Sequence, residues 1–341
     1  MLEPRRDAMP ARVIDVHNHF YPEAYLQEVA RDSSAARVSI DAHGVRRIHY
    51  AGDYSVIAQA HYDIERRLAD IDAAGVALQV LSLTVPGVHF EERARGIQLA
   101  QLTNDAFAEI AQAHPQRFAA FATLPMQAPE EAARELERAT TELGLVGAML
   151  FSNMGGAPLD APLFWPVYEA ADALGVPLLI HPTAPSALLG SNMEDLRLVP
   201  LLGFPFEVTL AAARVVLSGL LDRFPNLTLI MSQLGGTLPM LAERIERGYD
   251  VYPEIAGSLQ ERPSVYFRRM YYDSVPYGRA GIPLTIAFAG SERVVLASDH
   301  PHAIGDLDGL TAVIDALDLS PDDAANIRCR NLERLLNLPP A

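Results

Sequence analysis

Two histidines spaced two residues apart follow a short apolar run near the start of the chain. The run Val13–Val16 leads into His17-Asn18-His19. Side chains two apart in a β-strand point to the same face. The two imidazoles are therefore predicted to leave the C-terminal end of one strand side by side, where one metal ion can bind both. Histidine pairs of this kind also occur in structural and exposed positions, so a metal site requires further ligands.

Two later strand-like runs also end in residues that bind metals. His181 follows Leu178–Ile180, and Asp299 comes shortly after Val294–Ala297. Taken alone, His181 fits a buried histidine at a strand end and Asp299 fits a helix cap. Together with the first pair, they give three imidazoles and one carboxylate. This set favours one divalent metal ion, with Zn²⁺ preferred and Mn²⁺ or Fe²⁺ as alternatives.

The elements that would position these side chains are eight short apolar runs, most of them separated by helix-like segments. The runs are Arg12–Val16, Val76–Leu83, Phe118–Leu124, Val146–Phe151, Pro177–Ile180, Leu227–Met231, Met270–Asp273 and Val294–Ala297. Nearly continuous apolar runs are typical of parallel strands that are covered on both faces. The pattern predicts an α/β fold of the (β/α)₈ TIM-barrel type, with the site at the C-terminal ends of the strands. A doubly wound sheet is the alternative, but no Gly-x-Gly-x-x-Gly follows the first run.

The intervening segments and loops complete the predicted barrel. Helical patterns cover Ile64–Ala74, Glu92–Ala113, Pro129–Leu143, Leu163–Leu174, Glu207–Phe224, Leu238–Gly248 and Pro283–Phe288. Two stretches are too long for ordinary connections: Tyr21–Asp63, expected to be an insertion with a short hairpin over the barrel mouth, and Thr183–Pro205, a second long loop. Ser320–Leu336 is expected to be a helix with Ser320 as its N-cap. We expect residues 1–341 to form a single barrel domain.

Composition excludes several functional classes. The 341 residues carry 27 basic and 43 acidic side chains, a formal net charge of −16, which argues against nucleic acid or an anionic membrane as partner. Every basic residue is arginine, so neither a Schiff-base lysine nor a metal-bridging lysine carbamate can form. Cys329 is the only cysteine, and Met1–Ala11 lacks the apolar segment of a signal peptide. We therefore expect a cytoplasmic protein.

With these residues placed, the chain resembles the amidohydrolase superfamily, and in particular its branch typified by 2-amino-3-carboxymuconate-6-semialdehyde decarboxylase. The resemblance rests on Asp15–His19, His181-Pro182, Gly203–Glu207, Ser218-Gly219, Arg223–Leu227, Leu234–Gly236, Leu238-Pro239, Tyr272-Asp273 and Ser298–Pro301. It implies a (β/α)₈ barrel with one divalent metal, held at the positions of His17, His19, His181 and Asp299. The absence of lysine agrees with a mononuclear site.

The chain departs from this family after the sixth strand. The family usually has His-x-Gly-Gly there, with a proton-transferring histidine, whereas this chain has Gln233-Leu234-Gly235-Gly236. Glutamine can hold a water or a substrate oxygen by hydrogen bonds, but it does not titrate near neutral pH. Asp299 is then the expected proton-transfer group, with His300 and His302 as weaker candidates that a loop position would turn outward.

Two arginines are candidate substrate ligands by the same resemblance. Arg244 lies eleven residues after Gln233, at a family position that binds a substrate carboxylate. Arg47, or Arg46 as the alternative, lies in the insertion at the position of another family substrate arginine. A planar guanidinium pairs well with a carboxylate. Arg244 also fits an ion pair on a helix face with Glu243 or Glu246.

The leading hypothesis is a metal-dependent decarboxylase of a small unsaturated or aromatic carboxylic acid. In it Arg244 and Arg47 bind substrate, Gln233 orients a water, and Asp299 supplies the proton that replaces CO₂. The rivals are a metal-dependent hydrolase of a lactone or amide, a hydratase of an unsaturated acid, and a metal-free barrel that binds a ligand without chemistry. The expected partner is a small carboxylic acid, and relatives of this branch suggest a homodimer.

Overall fold

The computed structural model describes residues 12–33, 36–50, 53–183, 192–193, 195–275 and 278–338. The N-terminal segment 1–11 and residues 184–191 and 194 of the second long loop lie outside these residues. The strands in chain order are β1 (Ile14–His19), β2 (Ala36–Ile40), β3 (Arg46–Tyr50), β4 (Asp53–Ile57), β5 (Leu78–Ser82), β6 (Phe118–Ala120), β7 (Ala122–Thr123), β8 (Ala148–Phe151), β9 (Asn153–Met154), β10 (Ala157–Pro158), β11 (Pro177–His181), β12 (Thr228–Met231), β13 (Tyr271–Asp273) and β14 (Val294–Val295).

Helices connect the strands around the outside. In chain order they are α1 (Glu23–Arg31), α2 (Ile64–Ala73), α3 (Arg93–Ala113), α4 (Pro129–Thr141), α5 (Trp165–Leu174), α6 (Phe204–Leu217), α7 (Leu220–Arg223), α8 (Leu238–Val251), α9 (Pro253–Ala256), α10 (Pro263–Phe267), α11 (Gly278–Ala289), α12 (Leu310–Asp315), α13 (Pro321–Ala325) and α14 (Asn331–Leu335).

Parallel pairing joins the strands in the order in which they occur in the chain. One sheet has the order β1-β5-β6 and the other β7-β8-β11-β12-β13-β14, and only Phe121 separates β6 from β7. At the opposite edge the backbone of β1 meets the segment after β14: Val16 N–H donates to Leu296 O at 3.0 Å, and Asp299 N–H donates to His17 O at 2.8 Å. With β6 and β7 counted as one interrupted strand, the eight parallel strands follow one circuit, and the expected (β/α)₈ architecture is confirmed.

The core lies inside this circuit and between the strands and the helices. Every residue of β1, β5, β8 and β11 is buried, as expected for strands that are covered on both faces, and β8 is apolar along its whole length. Close packing also restricts the backbone. At Gly147 a Cβ would lie 2.4 Å from the carbonyl oxygen of Pro177, so only glycine allows β8 and β11 to approach at this point.

The insertion after β1 is larger than the short hairpin expected from the sequence. It contains helix α1 and a three-stranded antiparallel sheet of order β2-β3-β4. The third strand, β4, pairs with β3 along its whole length, from Arg46 opposite Ile57 to Tyr50 opposite Asp53. Three strands give a small sheet a stability that an isolated two-stranded hairpin lacks.

Helix boundaries differ from the sequence expectation in two places. The helix expected over Glu207–Phe224 begins at Phe204 and ends at Leu217, because Gly219 adopts a left-handed conformation with φ of 76° and starts the short α7. The stretch Val199–Leu217 is long and apolar enough to cross a membrane by composition, but about 44% of it is buried against the rest of the chain. The cap at Ser320 is confirmed, since its side chain accepts a hydrogen bond from Asp323 N–H.

Candidate metal centre

The four side chains singled out in the sequence meet at the C-terminal end of the barrel. His17 and His19 extend from β1, His181 from the end of β11, and Asp299 from the segment after β14. Their candidate ligand atoms all lie within 4.8 Å of one another, and all four residues are buried. Strand ends that are far apart in sequence are therefore brought together as the barrel prediction requires.

Contacts of the Nδ1 atoms of the three imidazoles leave their Nε2 atoms facing the centre of the cluster. His17 Nδ1–H donates to Asp273 Oδ2 at 2.5 Å, and His181 Nδ1–H donates to Pro182 O at 2.6 Å. The Nδ1 atom of His19 lies 3.2 Å from Ser82 Oγ, which itself donates to Asn18 O. With the outer nitrogens engaged, each ring presents the lone pair of Nε2 to the centre.

The inward atoms are spaced as ligands of one cation. His19 Nε2 lies 3.1 Å from His17 Nε2 and 3.1 Å from His181 Nε2. Asp299 Oδ1 lies 3.2 Å from His19 Nε2 and 3.7 Å from His17 Nε2. Bond lengths of about 2.0–2.1 Å around a tetrahedral ion separate neighbouring ligands by about 3.3 Å. Buried lone pairs that face one another at such distances repel unless a cation lies between them, so the residues fit a divalent metal.

The surroundings of the four candidate ligands shift their pKa values in different directions. Burial, followed by the proximity of His181, holds the pKa of His19 well below its usual range, and burial does the same for His181. Burial also disfavours the charged form of His17, but the Asp273 carboxylate outweighs it and the pKa of His17 is raised. Burial raises the pKa of Asp299. The imidazoles of His19 and His181 are therefore already neutral at pH 7 and need not release a proton before they bind a metal ion.

Asp273, at the end of β13, supports the centre although the sequence analysis gave it no role. Its Oδ2 accepts from His17, and its Oδ1 accepts from Gln233 N–H at 2.7 Å and from Val275 N–H at 3.1 Å. It is fully buried. A carboxylate that orients a metal-binding histidine is a common outer ligand. Its position at a strand end, in Tyr272-Asp273, was the available signal.

A network of buried polar groups fixes the backbone beneath the ligands. Asp15 accepts from Ser298 N–H, from Ser298 Oγ–H and from Gln79 Nε2–H, at 3.0, 2.6 and 2.8 Å. Burial nevertheless raises the pKa of Asp15 to about 6. The fully buried guanidinium of Arg67 donates to Gln79 Oε1 at 3.1 Å and to the carbonyl oxygen of His19. These bonds tie β1 to its neighbours on both sides.

A cavity of about 650 Å³ opens from the metal site to the surface. Its floor includes His181, Gln233 and Asp299, and its wall and mouth are mostly apolar. The remaining lining residues are Tyr50, Tyr54, Ser55, Val56, Thr84, Val85, Pro182, Arg197, Pro200, Leu201, Phe204, Pro205, Val275, His302, Ala303 and Ile304. The β3–β4 sheet of the insertion and the segment before α6 supply the mouth, as expected for the two long stretches.

Gln233 occupies the position of the family histidine and reaches the cavity floor. Its backbone has a φ of 54°, in the left-handed region, and the hydrogen bond from its N–H to Asp273 helps to hold it there. The side-chain oxygen is buried and has no hydrogen-bond partner among the described residues. A buried amide with an unused acceptor, beside a metal site, is suited to bind a substrate or a water.

The two histidines after Asp299 do not face outward as expected. His302 lines the cavity, lies 3.2 Å from Thr84 Oγ1 through Nε2, and has its ring centroid 4.8 Å from that of His19. His300 has a structural contact, with Nδ1 2.8 Å from a guanidinium nitrogen of Arg67. Burial lowers the pKa of both rings, that of His300 to about 3. The turn at Asp299, with φ of 59°, directs both side chains inward.

The structure does not bring the two expected substrate arginines to the cavity. Arg244 is exposed on α8 and is not among the lining residues. Arg47, on β3, forms an ion pair with Asp41 at 2.7 Å, and its guanidinium lies 5.8 Å from the ring centroid of Tyr54 at the cavity mouth. The arginine that lines the cavity is Arg197, in the second long loop, which the sequence analysis did not select.

Comparison with known proteins places this arrangement in a family. The sequence profile of the Amidohydrolase family matches residues 14–338, from the first strand to the last described residue. The chain belongs to the amidohydrolase family. The resemblance seen in the sequence is therefore confirmed, and the chain is an enzyme of this family's metal-dependent branch.

Curated relatives of the amidohydrolase chain are decarboxylases. It is 32% identical over 286 residues to a gamma-resorcylate decarboxylase of Polaromonas sp., covering 80% of this chain and 87% of the relative. It is 29% identical over 301 residues to a 2-amino-3-carboxymuconate-6-semialdehyde decarboxylase of Dictyostelium discoideum, covering 86% and 83% of the two chains.

Solved structures agree with these relatives in fold. A 5-carboxyvanillate decarboxylase from Sphingomonas paucimobilis superposes with a TM-score of 0.85 at 28% identity, covering 97% of this chain and 100% of that one. A dihydroxybenzoic acid decarboxylase from Polaromonas sp., solved with manganese and the inhibitor 2-nitroresorcinol, gives 0.78 at 26% identity, covering 97% and 98%. With the His₃Asp cluster of this chain, they support a single divalent metal ion as cofactor.

Proposed function

We propose that this protein is a metal-dependent decarboxylase of aromatic carboxylic acids. In this proposal His17, His19, His181 and Asp299 hold one divalent ion. The observation that carries it is the position of this buried His₃Asp cluster at the floor of one largely apolar cavity of about 650 Å³. The volume suits a substituted aromatic ring. The curated relatives named above, which remove carboxyl groups, support the same reaction.

The floor and the wall of the cavity contribute differently to the reaction. A divalent ion held by the four residues supplies Lewis-acid polarisation of substrate oxygens. The apolar wall removes water from the carboxylate that is to be lost, and the product CO₂ is neutral and apolar. The C–C bond breaks, its electron pair stays on the ring carbon, and Asp299 donates a proton to that carbon. Solvent then returns the proton to Asp299.

Gln233 is proposed to position the substrate or a water without transferring a proton. Gln233 lines the cavity, and its buried side-chain oxygen has no hydrogen-bond partner among the described residues. Gln233→Leu should lower kcat by about tenfold with metal content unchanged, the effect of one hydrogen bond to a charged group. Gln233→His should add a new inflection near pH 6–7 to the rate profile. An unchanged kcat in Gln233→Leu would exclude this role.

The decisive experiment measures the products. Metal-loaded protein is incubated with a panel of hydroxybenzoates and other aromatic acids in D₂O, and both CO₂ release and ring deuteration are recorded. We expect one CO₂ and one deuterium per turnover, and neither in His17→Ala. Asp299→Asn that kept full metal content and full rate would exclude the proton-donor role. Hydrolysis of lactones or amides without CO₂ release would identify the chain as a hydrolase instead.

Zn²⁺ is the metal we propose, because three imidazoles and one carboxylate with nearly tetrahedral spacing suit it. Mn²⁺ is the alternative that a solved relative holds. Removal of the native metal, followed by reconstitution with each ion, should give about one equivalent per chain and higher activity with Zn²⁺. Higher activity with Mn²⁺ would reverse the assignment and leave the reaction proposal intact.

We further propose that the enzyme is a homodimer and that Arg244 acts across its interface. Leu202, Phe206 and Leu210 on one helical face, and Met240 on α8, are exposed large apolar side chains. Arg244 lies one turn after Met240 and outside its own cavity, so it can meet a substrate only in another copy. Mixing Arg244→Ala with His17→Ala should restore activity that neither variant has alone. A monomer in sedimentation experiments would contradict both proposals.

Three further assignments are proposed in the same way. Arg47, which lies outside the cavity lining and pairs with Asp41, is proposed to contact only the part of a substrate that extends past Tyr54. Arg47→Met should therefore raise KM. Residues 1–341 are proposed to form one barrel domain, and the single cysteine fits the cytoplasm. Limited proteolysis and cell fractionation test these two statements.

A further inference from the structure

A small second cavity lies at the end of the barrel opposite the metal site. Its volume is about 130 Å³, and it is formed where the chain enters three neighbouring strands, β12, β13 and β14. Thr228 is the first residue of β12, Arg269 lies two residues before β13, and Arg293 lies directly before β14. The cavity therefore belongs to the N-terminal face of the barrel, whereas the metal ligands lie at the C-terminal face.

Two guanidinium groups share this cavity. Arg269 and Arg293 both line it, and none of the other described lining residues carries a charge. The contacts that the structure shows for the two groups are with a carbonyl oxygen and with an aromatic ring, and neither forms an ion pair among the described residues. Two like charges beside one small volume repel each other, and an anion between them relieves the repulsion.

The other polar side chains of the lining are engaged with groups outside the cavity or with the backbone. The hydroxyl of Tyr266 donates to the carboxylate of Asp222. Asn226 Nδ2–H donates to Asp172 at 3.3 Å, and Thr228 Oγ1–H donates to a backbone carbonyl oxygen at 3.4 Å. Neither Asp222 nor Asp172 lines the cavity. The side-chain groups that remain available to a ligand are therefore the guanidinium N–H donors.

Both guanidinium groups are held in place by a neighbour and keep most of their donors. Arg269 Nη2–H donates to the carbonyl oxygen of Pro225, and the central carbon of the Arg293 guanidinium lies 4.9 Å from the ring centroid of Tyr271. A guanidinium has five N–H donors. Since these contacts already restrict the two side chains, a ligand that binds them causes a smaller loss of side-chain entropy.

The size and the charge of the cavity define the class of ligand. A volume of about 130 Å³ is the share of about four water molecules in the liquid, which suits a compact ion of five heavy atoms. The oxygens of a tetrahedral oxyanion match the parallel N–H groups of guanidinium. With a formal net charge of −16, the chain repels anions in general, so an anion site requires local positive charge of this kind.

We propose that Arg269 and Arg293 bind one inorganic tetrahedral oxyanion, phosphate or sulfate, at the N-terminal face of the barrel. The ion connects the residues that precede β13 and β14 and so stabilises the start of these strands. Groups at this face of a (β/α)₈ barrel contribute to stability, whereas catalysis takes place at the opposite face. The site is therefore independent of the proposed decarboxylase function.

Unfolding of the full, metal-loaded chain in urea tests the site. The measurement is made near neutral pH in about 10 mM phosphate and in chloride at the same ionic strength. For two partly exposed guanidinium groups we expect a dissociation constant on the order of 1 mM. The unfolding equilibrium constant should then be about tenfold smaller in phosphate than in chloride. Calorimetry should show about one phosphate ion bound per chain.

Substitutions distinguish this site from the metal centre and from general salt effects. Arg269→Met and Arg293→Met should each reduce the phosphate effect to less than twofold, and Arg293→Lys should keep part of it. The matched control is Arg268→Met. Arg268 is exposed and adjacent to Arg269, and its guanidinium lies 5.7 Å from the ring centroid of Phe288, but it does not line the cavity. This variant should respond to phosphate as the wild type does.

Equal stability of the wild type in phosphate and in chloride would overturn the proposal. An undiminished phosphate effect in Arg269→Met and Arg293→Met would also overturn it, because the ion would then act at the metal or elsewhere. Glycerol 3-phosphate should stabilise the chain less than inorganic phosphate, since the free ion alone fills the cavity. A larger effect of the ester would overturn the assignment to an inorganic ion. None of these outcomes depends on turnover, because unfolding is measured without substrate.

Discussion

The floor and the mouth of the cavity are built in opposite ways. At the floor, ligands on separate strands are held by buried hydrogen bonds, such as that from His17 to Asp273 and those from Ser298 to Asp15. At the mouth, the insertion and the segment before α6 present exposed apolar side chains around one arginine. The comparison indicates that the barrel strands hold the metal ligands in place. The insertion and the segment before α6 form the entrance and so determine which substrates reach those ligands.

The largest expected effect is at the floor. His181→Ala removes one imidazole whose Nε2 lies 3.1 Å from that of His19. The variant should lose its metal and more activity than the roughly 10- to 100-fold loss that follows from removing an outer ligand. Metal analysis and CO₂ release measure this. A variant with one equivalent of metal would show that His181 is not a ligand.

The next effect tests whether the outer hydrogen bonds of the floor matter. Asp273→Asn keeps the volume but weakens the acceptor of His17 Nδ1–H, so metal affinity should fall about 10- to 100-fold. Competition with a chelator measures the affinity. Asp322→Asn is the control, since Asp322 is 86% exposed and pairs only with a surface arginine. Equal affinities in the two variants would remove Asp273 from the site.

A third test measures how a buried histidine near the floor, His89, makes the stability of the protein depend on pH. His89 packs against Phe151, whose ring contacts that of His181, and burial lowers the pKa of His89 to about 3. The unfolded chain, with a histidine pKa of about 6.5, therefore binds the extra proton between these values. This contribution to stability is present above pH 6.5 and is lost as pH falls toward 3.

His89→Phe should remove this dependence. Between pH 6.5 and 4 the stability of the wild type should fall more steeply than that of the variant, by up to about 1.4 kcal/mol per pH unit. Urea unfolding at several pH values measures the difference. Parallel curves for the two proteins would show that His89 is protonated equally well in the folded chain.

The smallest effect is expected at the mouth. Ile304 is 53% exposed and lines the cavity. Ile304→Thr should change KM by about twofold and leave kcat and metal content as they are, because little apolar area is lost. Steady-state kinetics measure this. A large fall in kcat would show that the mouth also takes part in the chemistry.

Part of the site could be predicted because it depends on strand ends. His17 and His19 are two apart on a strand, and His181 and Asp299 follow apolar runs, so a barrel alone brings them near one axis. Asp273 also ends a strand, but one carboxylate has many possible roles. The positions of the substrate arginines could not be predicted in this way, because they depend on loops and helix faces rather than on strand ends.

Loops account for what the sequence analysis missed. Arg197 lines the cavity with its guanidinium 5.2 Å from the ring centroid of Tyr54, a contact that no local pattern indicates. His302 faces inward because Asp299 adopts a left-handed backbone conformation. The residue types in this turn do not indicate that conformation. The insertion was expected to contain only a short hairpin, whereas its third strand, β4, pairs with β3.

The sequence by itself determined the barrel, the types of metal ligand and the absence of any lysine-based catalytic group. These follow from the apolar runs, from the residues at the ends of those runs and from the amino-acid composition, none of which depends on tertiary contacts. Tertiary structure alone decided which nitrogen of each histidine faces the centre, that Asp273 orients His17, and that Arg197 rather than Arg47 or Arg244 lines the cavity. The physical reason is that hydrogen-bond partners and cavity walls come from residues far apart in the chain, and only folding sets their distances.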